Sequence, residues 1–295
     1  MADVALRSAP RVNPVSLLFT VAIFTSASLV FLVQPMMGKM LLPKLGGSPA
    51  VWNTTMAFFQ AALLAGYGYA HLLQKLRSLR AQAAIHLAAL LLAVGFLPLH
   101  LPGVLGDPPP NAPVGWLLAA LTISVGYPFA ILSSTAPLLQ AWFARLNGEG
   151  SNPYALYVAS NVGSMLALLA YPTAVEPLLA LEGQTHAWAI VFAIFVSLAA
   201  LVGASVWGAG APAPVAAADA QSATGPTEWR TRAVWILLAA APSSLMLGTT
   251  TFLSTDVAAT PFLWVLPLAL YLATFIVAFQ DRPAISPRIA LVGQG

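Results

Sequence analysis

The chain contains no cysteine in its 295 residues. Disulfides, thiolate metal sites, cysteine nucleophiles and S-acylation are thereby excluded. Charge is nearly as scarce, with 7% of residues Asp, Glu, Lys or Arg, where a soluble domain carries about a quarter. A soluble globular protein is therefore excluded. What replaces the charge is apolar: 59% of residues are hydrophobic and the mean hydropathy is +0.83. This content of Leu, Val, Phe and Ala also excludes a collagen-like or disordered chain. The 24 prolines and 21 glycines are spread among apolar residues, as membrane helices tolerate.

Catalytic signatures are absent too. The four histidines, His71, His86, His100 and His186, include no HExxH-type metal pair, and each fits an interfacial or packed position. There is no GxSxG elbow, no P-loop and no strand followed by a glycine-rich turn; Gly148 and Gly150 fall in a short loop between apolar runs. No soluble segment is long enough to form its own core. Glu176 and Asp256 have no carboxylate neighbour in sequence with which to form an acid/base pair. No catalytic residue, no metal site and no cofactor are expected, and an enzyme ranks last among the function classes.

Crossing a hydrocarbon layer of about 30 Å takes roughly 20 helical residues. Eight apolar runs meet that length, at 14–37, 50–73, 82–99, 114–142, 153–179, 185–207, 231–254 and 259–279. The expected fold is an all-α integral membrane protein with about eight transmembrane helices. Arg7 and Arg11 precede the first run, but its length and the lack of a small-residue cleavage site make it a retained helix. Residues 1–207 form a six-helix unit, the Ala/Pro/Gly-rich stretch 208–230 a linker, and 231–295 the start of a second unit. That unit is expected to be incomplete, the segment Ile289 to Gly295 beginning a ninth helix.

The few charges assign sides. With the N-terminus cytoplasmic, ten bases lie inside (Arg7, Arg11, Lys75, Arg77, Arg80, Arg145, Arg230, Arg232, Arg282, Arg288), and only Lys39 and Lys44 lie outside. This is the positive-inside distribution. Four acids, Asp107, Glu176, Glu182 and Asp256, share the outside with those two lysines, a net of −2. The basic pI therefore reports topology and calls for no nucleic acid; the lipid bilayer is the implied partner.

Polar residues inside the spans fall on helical faces. Asn53, Gln60, Tyr67 and His71 share one stripe of the second span, beside the small residues Ala62, Gly66 and Ala70. Tyr157, Asn161 and Ser164 share a face of the fifth. Gly126, Ser133 and Gln140 recur in the fourth, and Ser244, Thr251 and Thr255 in the seventh. Together these stripes imply a polar seam, formed either by interhelical hydrogen bonds or by a cavity lining. Pro128, Pro172, Pro242 and Pro267 lie near span centres, where each removes a backbone hydrogen bond. Lys39 sits at the outer membrane edge if the first helix continues to Leu42, within reach of Glu176 or Asp256, or else snorkels among headgroups.

Three segments carry a resemblance: QPMMGKMLLPKLGGSPAVWNTTMAFFQAALLAGYGYAH (Gln34 to His71), ALYVASNVGSMLALLAYPTAVEPLL (Ala155 to Leu179) and LSTDVAATPFLWVLPLALYLATFIVAF (Leu253 to Phe279). They resemble the membrane region of bacterial spermidine synthase-like integral membrane proteins, in which a major-facilitator-like domain is fused to a polyamine synthase-like domain. The resemblance implies a partial major-facilitator-like bundle in a bacterial inner (plasma) membrane. It also implies a soluble aminopropyltransferase-like domain lying beyond residue 295, so synthase activity is not carried by these residues. The expected function is a transporter-like domain that moves or delivers a small metabolite, such as a polyamine. The alternative is a non-transporting anchor for the synthase-like domain. Gln34, Lys39, Asn53, Gln60, Asn161 and Asp256 are the candidate substrate or cavity residues, a small-molecule cation is the candidate substrate, and a homo-oligomer or the C-terminal domain are the candidate protein partners.

Overall fold

The computed structural model describes residues 13–147, 154–208, 228–253 and 265–278. Among the described residues the regular structure is entirely helical. We number the helices α1 (Pro14–Leu45), α2 (Pro49–Gln74), α3 (Leu79–Val94), α4 (Pro113–Asn147), α5 (Ala155–Leu178), α6 (Leu181–Gly208), α7 (Trp229–Phe252) and α8 (Val265–Ala278). Six of them are long and apolar enough to cross a membrane; α3 and α8 are shorter apolar helices. The chain is a membrane protein.

Local chemistry sets the helix ends. Asn13, Ser48 and Ser78 cap α1, α2 and α3 by accepting from Val15, Val51 and Ala81 backbone N–H groups. The third apolar run was expected to reach residue 99, but α3 stops at Val94. Gly95 follows, and Pro98 and Pro102 cannot donate to a continuing helix. Helix α1 runs the other way, past the expected residue 37 to Leu45. At about 1.5 Å per residue, its 32 residues exceed the hydrocarbon thickness, so its end carries Lys39 and Lys44 toward the membrane edge.

Two long helices are interrupted by π turns, at Thr122–Gly126 in α4 and Tyr171–Val175 in α5. Pro128 follows the first closely, and Pro172 lies within the second. A wider turn takes up the carbonyl that proline leaves without its donor.

The first six helices pair in a patterned way. Helix α1 packs on α5 and α6, α4 packs on α2 and α3, α1 meets α4, and α3 meets α6. Exchanging α1, α2 and α3 for α4, α5 and α6 maps the first four contacts onto one another in pairs and leaves α1–α4 and α3–α6 unchanged. The repeat extends to atoms. A Cβ on Gly66 of α2 would stand 2.3 Å from the Ala130 carbonyl oxygen of α4, and one on Gly163 of α5 would stand 2.6 Å from that of Phe24 of α1. Helix α8 rests on α5 through Leu168, Val265, Ala269 and Leu272.

The apolar interior is split in two. One cluster holds Leu29, Val33, Leu90, Phe129, Leu132 and Phe192; the other holds Phe19, Ile23, Ala83, Leu138, Trp142 and Val202. On α1, α3 and α4 the buried residues between these clusters are, apart from Ala27, polar: Ser26, His86, and the run Ser133, Ser134 and Thr135.

The two glycine contacts yield a direct expectation. Gly66→Val and Gly163→Val each lower stability by about 1–3 kcal/mol, because a helix backbone cannot yield as a side chain does. Gly68→Ala, with nothing within 4 Å of its added Cβ, stays near wild type; SDS titration of the protein in mixed micelles reads all three.

Candidate functional site

The polar residues between the two apolar clusters form a band across the bundle. Most are hydroxyls, which lipid cannot satisfy, so each donates to a carbonyl. Ser26 donates to Leu132 O at 3.2 Å, joining α1 to α4, and Ser28 lies 3.1 Å from Gly163 O, joining α1 to α5. Ser133 and Ser134 turn back to Phe129 O and Ile131 O of their own helix. His86 of α3, 2% exposed, places Nε2 3.1 Å from Thr135 Oγ1 of α4. Toward the basic end, Trp142 donates to Gln82 Oε1 at 2.8 Å and Gln82 donates to Leu76 O at 2.6 Å. Tyr69 of α2 stacks at an angle beside His86, with ring centroids 6.0 Å apart.

The opposite end holds the charges. Lys39 Nζ lies 2.7 Å from Glu176 Oε1, tying α1 to the end of α5, with both side chains 33% exposed. Of its two expected carboxylate partners, Lys39 takes Glu176. Lys44 pairs with Asp107 in the loop before α4. The Lys44 hydrogen bond, and then its charge, hold the Asp107 carboxyl below its ordinary 3.8. Behind the Lys39 pair, Tyr171 donates to Gln184 Oε1 at 2.9 Å, and Gln184 donates to Leu179 O at 2.9 Å. These bonds close the α5–α6 corner.

The other sequence-predicted residues are dispersed. Gln34 donates to Val30 O and Asn161 to Tyr157 O, each one turn back in its own helix. Asn161 is buried beside the band, whereas Asn53 and Gln60 are exposed, as are Tyr67 and His71 of the same stripe. Ser244 and Thr251 of α7 are exposed as well; Asp256 and Thr255 lie outside the described residues.

Sequence reasoning missed the band because stripes are read along a helix and the band runs across helices. Two signals were present. Gln82 and His86, four apart, share one face of an otherwise apolar run, and Ser133, Ser134 and Thr135 are consecutive. Among the described residues no group of three His, Asp or Glu side chains could hold a metal ion.

Two measurements test the charged end. A double-mutant cycle on Lys39→Met and Glu176→Gln is expected to give a coupling below about 1 kcal/mol, since a partly exposed pair is screened. A carboxyl titration followed by NMR should place Asp107 below 3.8, and Lys44→Met should move it back up. Because the folded value is the lower one, the pair's stabilisation is present above the ordinary carboxylate range and is lost as pH falls through the folded pKa.

Comparison of the chain with protein-family models, with curated proteins and with solved structures yields no match.

Proposed function

We propose that this chain is the transporter-like membrane domain of a spermidine synthase-like fusion protein, set in a bacterial inner membrane with its N-terminus cytoplasmic. It moves or delivers a small cationic metabolite such as a polyamine. The observation that carries this reading is the polar face of α2. Asn53, Gln60, Tyr67 and His71 stand exposed along one helix that is long and apolar enough to cross a membrane, where lipid is a poor partner for amides. Such a face suits a water-lined path between two helical units.

Two further features support a major-facilitator-like arrangement. The six-helix pairing pattern has the form of two three-helix repeats of opposite orientation, and α8 rests on α5 as the start of a second unit. A cation fits the far end: with Lys39 and Lys44 each held by a carboxylate, Glu182 remains as an exposed acid there. The alternative, a non-transporting anchor, is favoured by Gln34 and Asn161, whose amides are satisfied within their own helices.

Reconstituted vesicles separate the two. Wild-type protein is expected to take up labelled spermidine faster than empty vesicles do, and the triple variant Asn53→Ala, Gln60→Ala, Asn161→Ala to lose most of that uptake. Equal rates in all three preparations would establish the anchor instead.

A further inference from the structure

We propose that Tyr69, His86 and Thr135 enclose a binding site for a single internal water molecule, which hydrogen-bonds α2 to the α3–α4 pair. Tyr69 Oη and His86 Nδ1 are both buried without a hydrogen-bond partner, although their rings are neighbours with centroids 6.0 Å apart. Two unmet polar atoms on neighbouring buried rings each carry a desolvation cost, and one molecule that reaches both relieves it.

The donor and acceptor balance identifies the occupant. We take Thr135 Oγ1 as donating to Ile131 O, 3.4 Å away, and so as accepting from His86 Nε2 at 3.1 Å. With that tautomer the imidazole proton is on Nε2 and Nδ1 is an acceptor. Tyr69 supplies an O–H. The occupant must therefore donate to Nδ1 and accept from Tyr69, which water does in a polar site with several partners. A metal ion is a poor fit, since one neutral nitrogen and two hydroxyls offer no anionic ligand.

The site matters for α2 in particular. Helix α2 is held by apolar packing and by the Gly66 contact with α4. Its Thr55 hydroxyl is satisfied by Val51 O of the same helix. The water would be a polar tie between α2 and the bundle at this depth.

Solid-state NMR of the full chain in lipid bilayers, with 15N-labelled histidine and the His86 signals assigned by a His86→Asn variant, tests the proposal. The expected result is a protonated Nε2, a hydrogen-bonded Nδ1, and magnetisation transfer from water to the His86 ring. That transfer is lost in Tyr69→Phe, which keeps the ring packing. A wild-type His86 ring without water contact overturns the site, whether Nδ1 is free or bonded directly to Tyr69. Water contact that persists unchanged in Tyr69→Phe overturns the bridge.

Discussion

Two backbone contacts hold this bundle in its geometry: Gly66 against the Ala130 carbonyl and Gly163 against that of Phe24. Lipid tails give apolar side chains no reason to leave them, so helices in a membrane associate by close packing and polar contacts. A missing Cβ at each crossing lets the helices approach until side chains as small as serine fill the contact. Ser133 lies beside Gly66 and Ser28 beside Gly163. The polar band follows from that closeness, because only short hydroxyls both fit there and reach a carbonyl.

Much of this was legible in the residues. The apolar runs locate the helices because crossing length is a property of the bilayer, and the ridge Ala62, Gly66 and Ala70 marks the face that meets α4. Two carboxylates, Glu176 and Asp256, were legible as candidate partners for Lys39 because a charge near the membrane edge needs a partner on its own side, or else snorkels among headgroups. The early end of α3 was less visible: residues 95–99 remain apolar, and hydropathy alone does not register how Gly95 and Pro98 end a helix. The band left only two partial signals, for a different reason. Ser26, His86 and Thr135 share a depth and not a helix, and depth depends on how far each helix slides against its neighbours.

The two ends of the bundle are built differently. At the Lys39 end, ion pairs and the Tyr171–Gln184 bonds tie helix termini together through charges and amides. At the basic end, Arg80 donates to Trp207 O at the close of α6, while Lys75 and Arg77 stand exposed. At one end both lysines are paired with carboxylates, while Lys75 and Arg77 at the other stand exposed.

The π turn in α4 sets the rotational phase of everything after it. A π turn is an α-helix with one residue to spare, and each residue advances the helix by about 100°. Without that surplus between Thr122 and Gly126, Thr135 and Trp142 would turn away from α3. His86 would then lose Thr135 and Gln82 would lose Trp142 in one step. A single extra residue near the helix centre therefore works as a phase key, aligning two hydrogen bonds on α3 that are four residues apart and that neither helix could align by sliding.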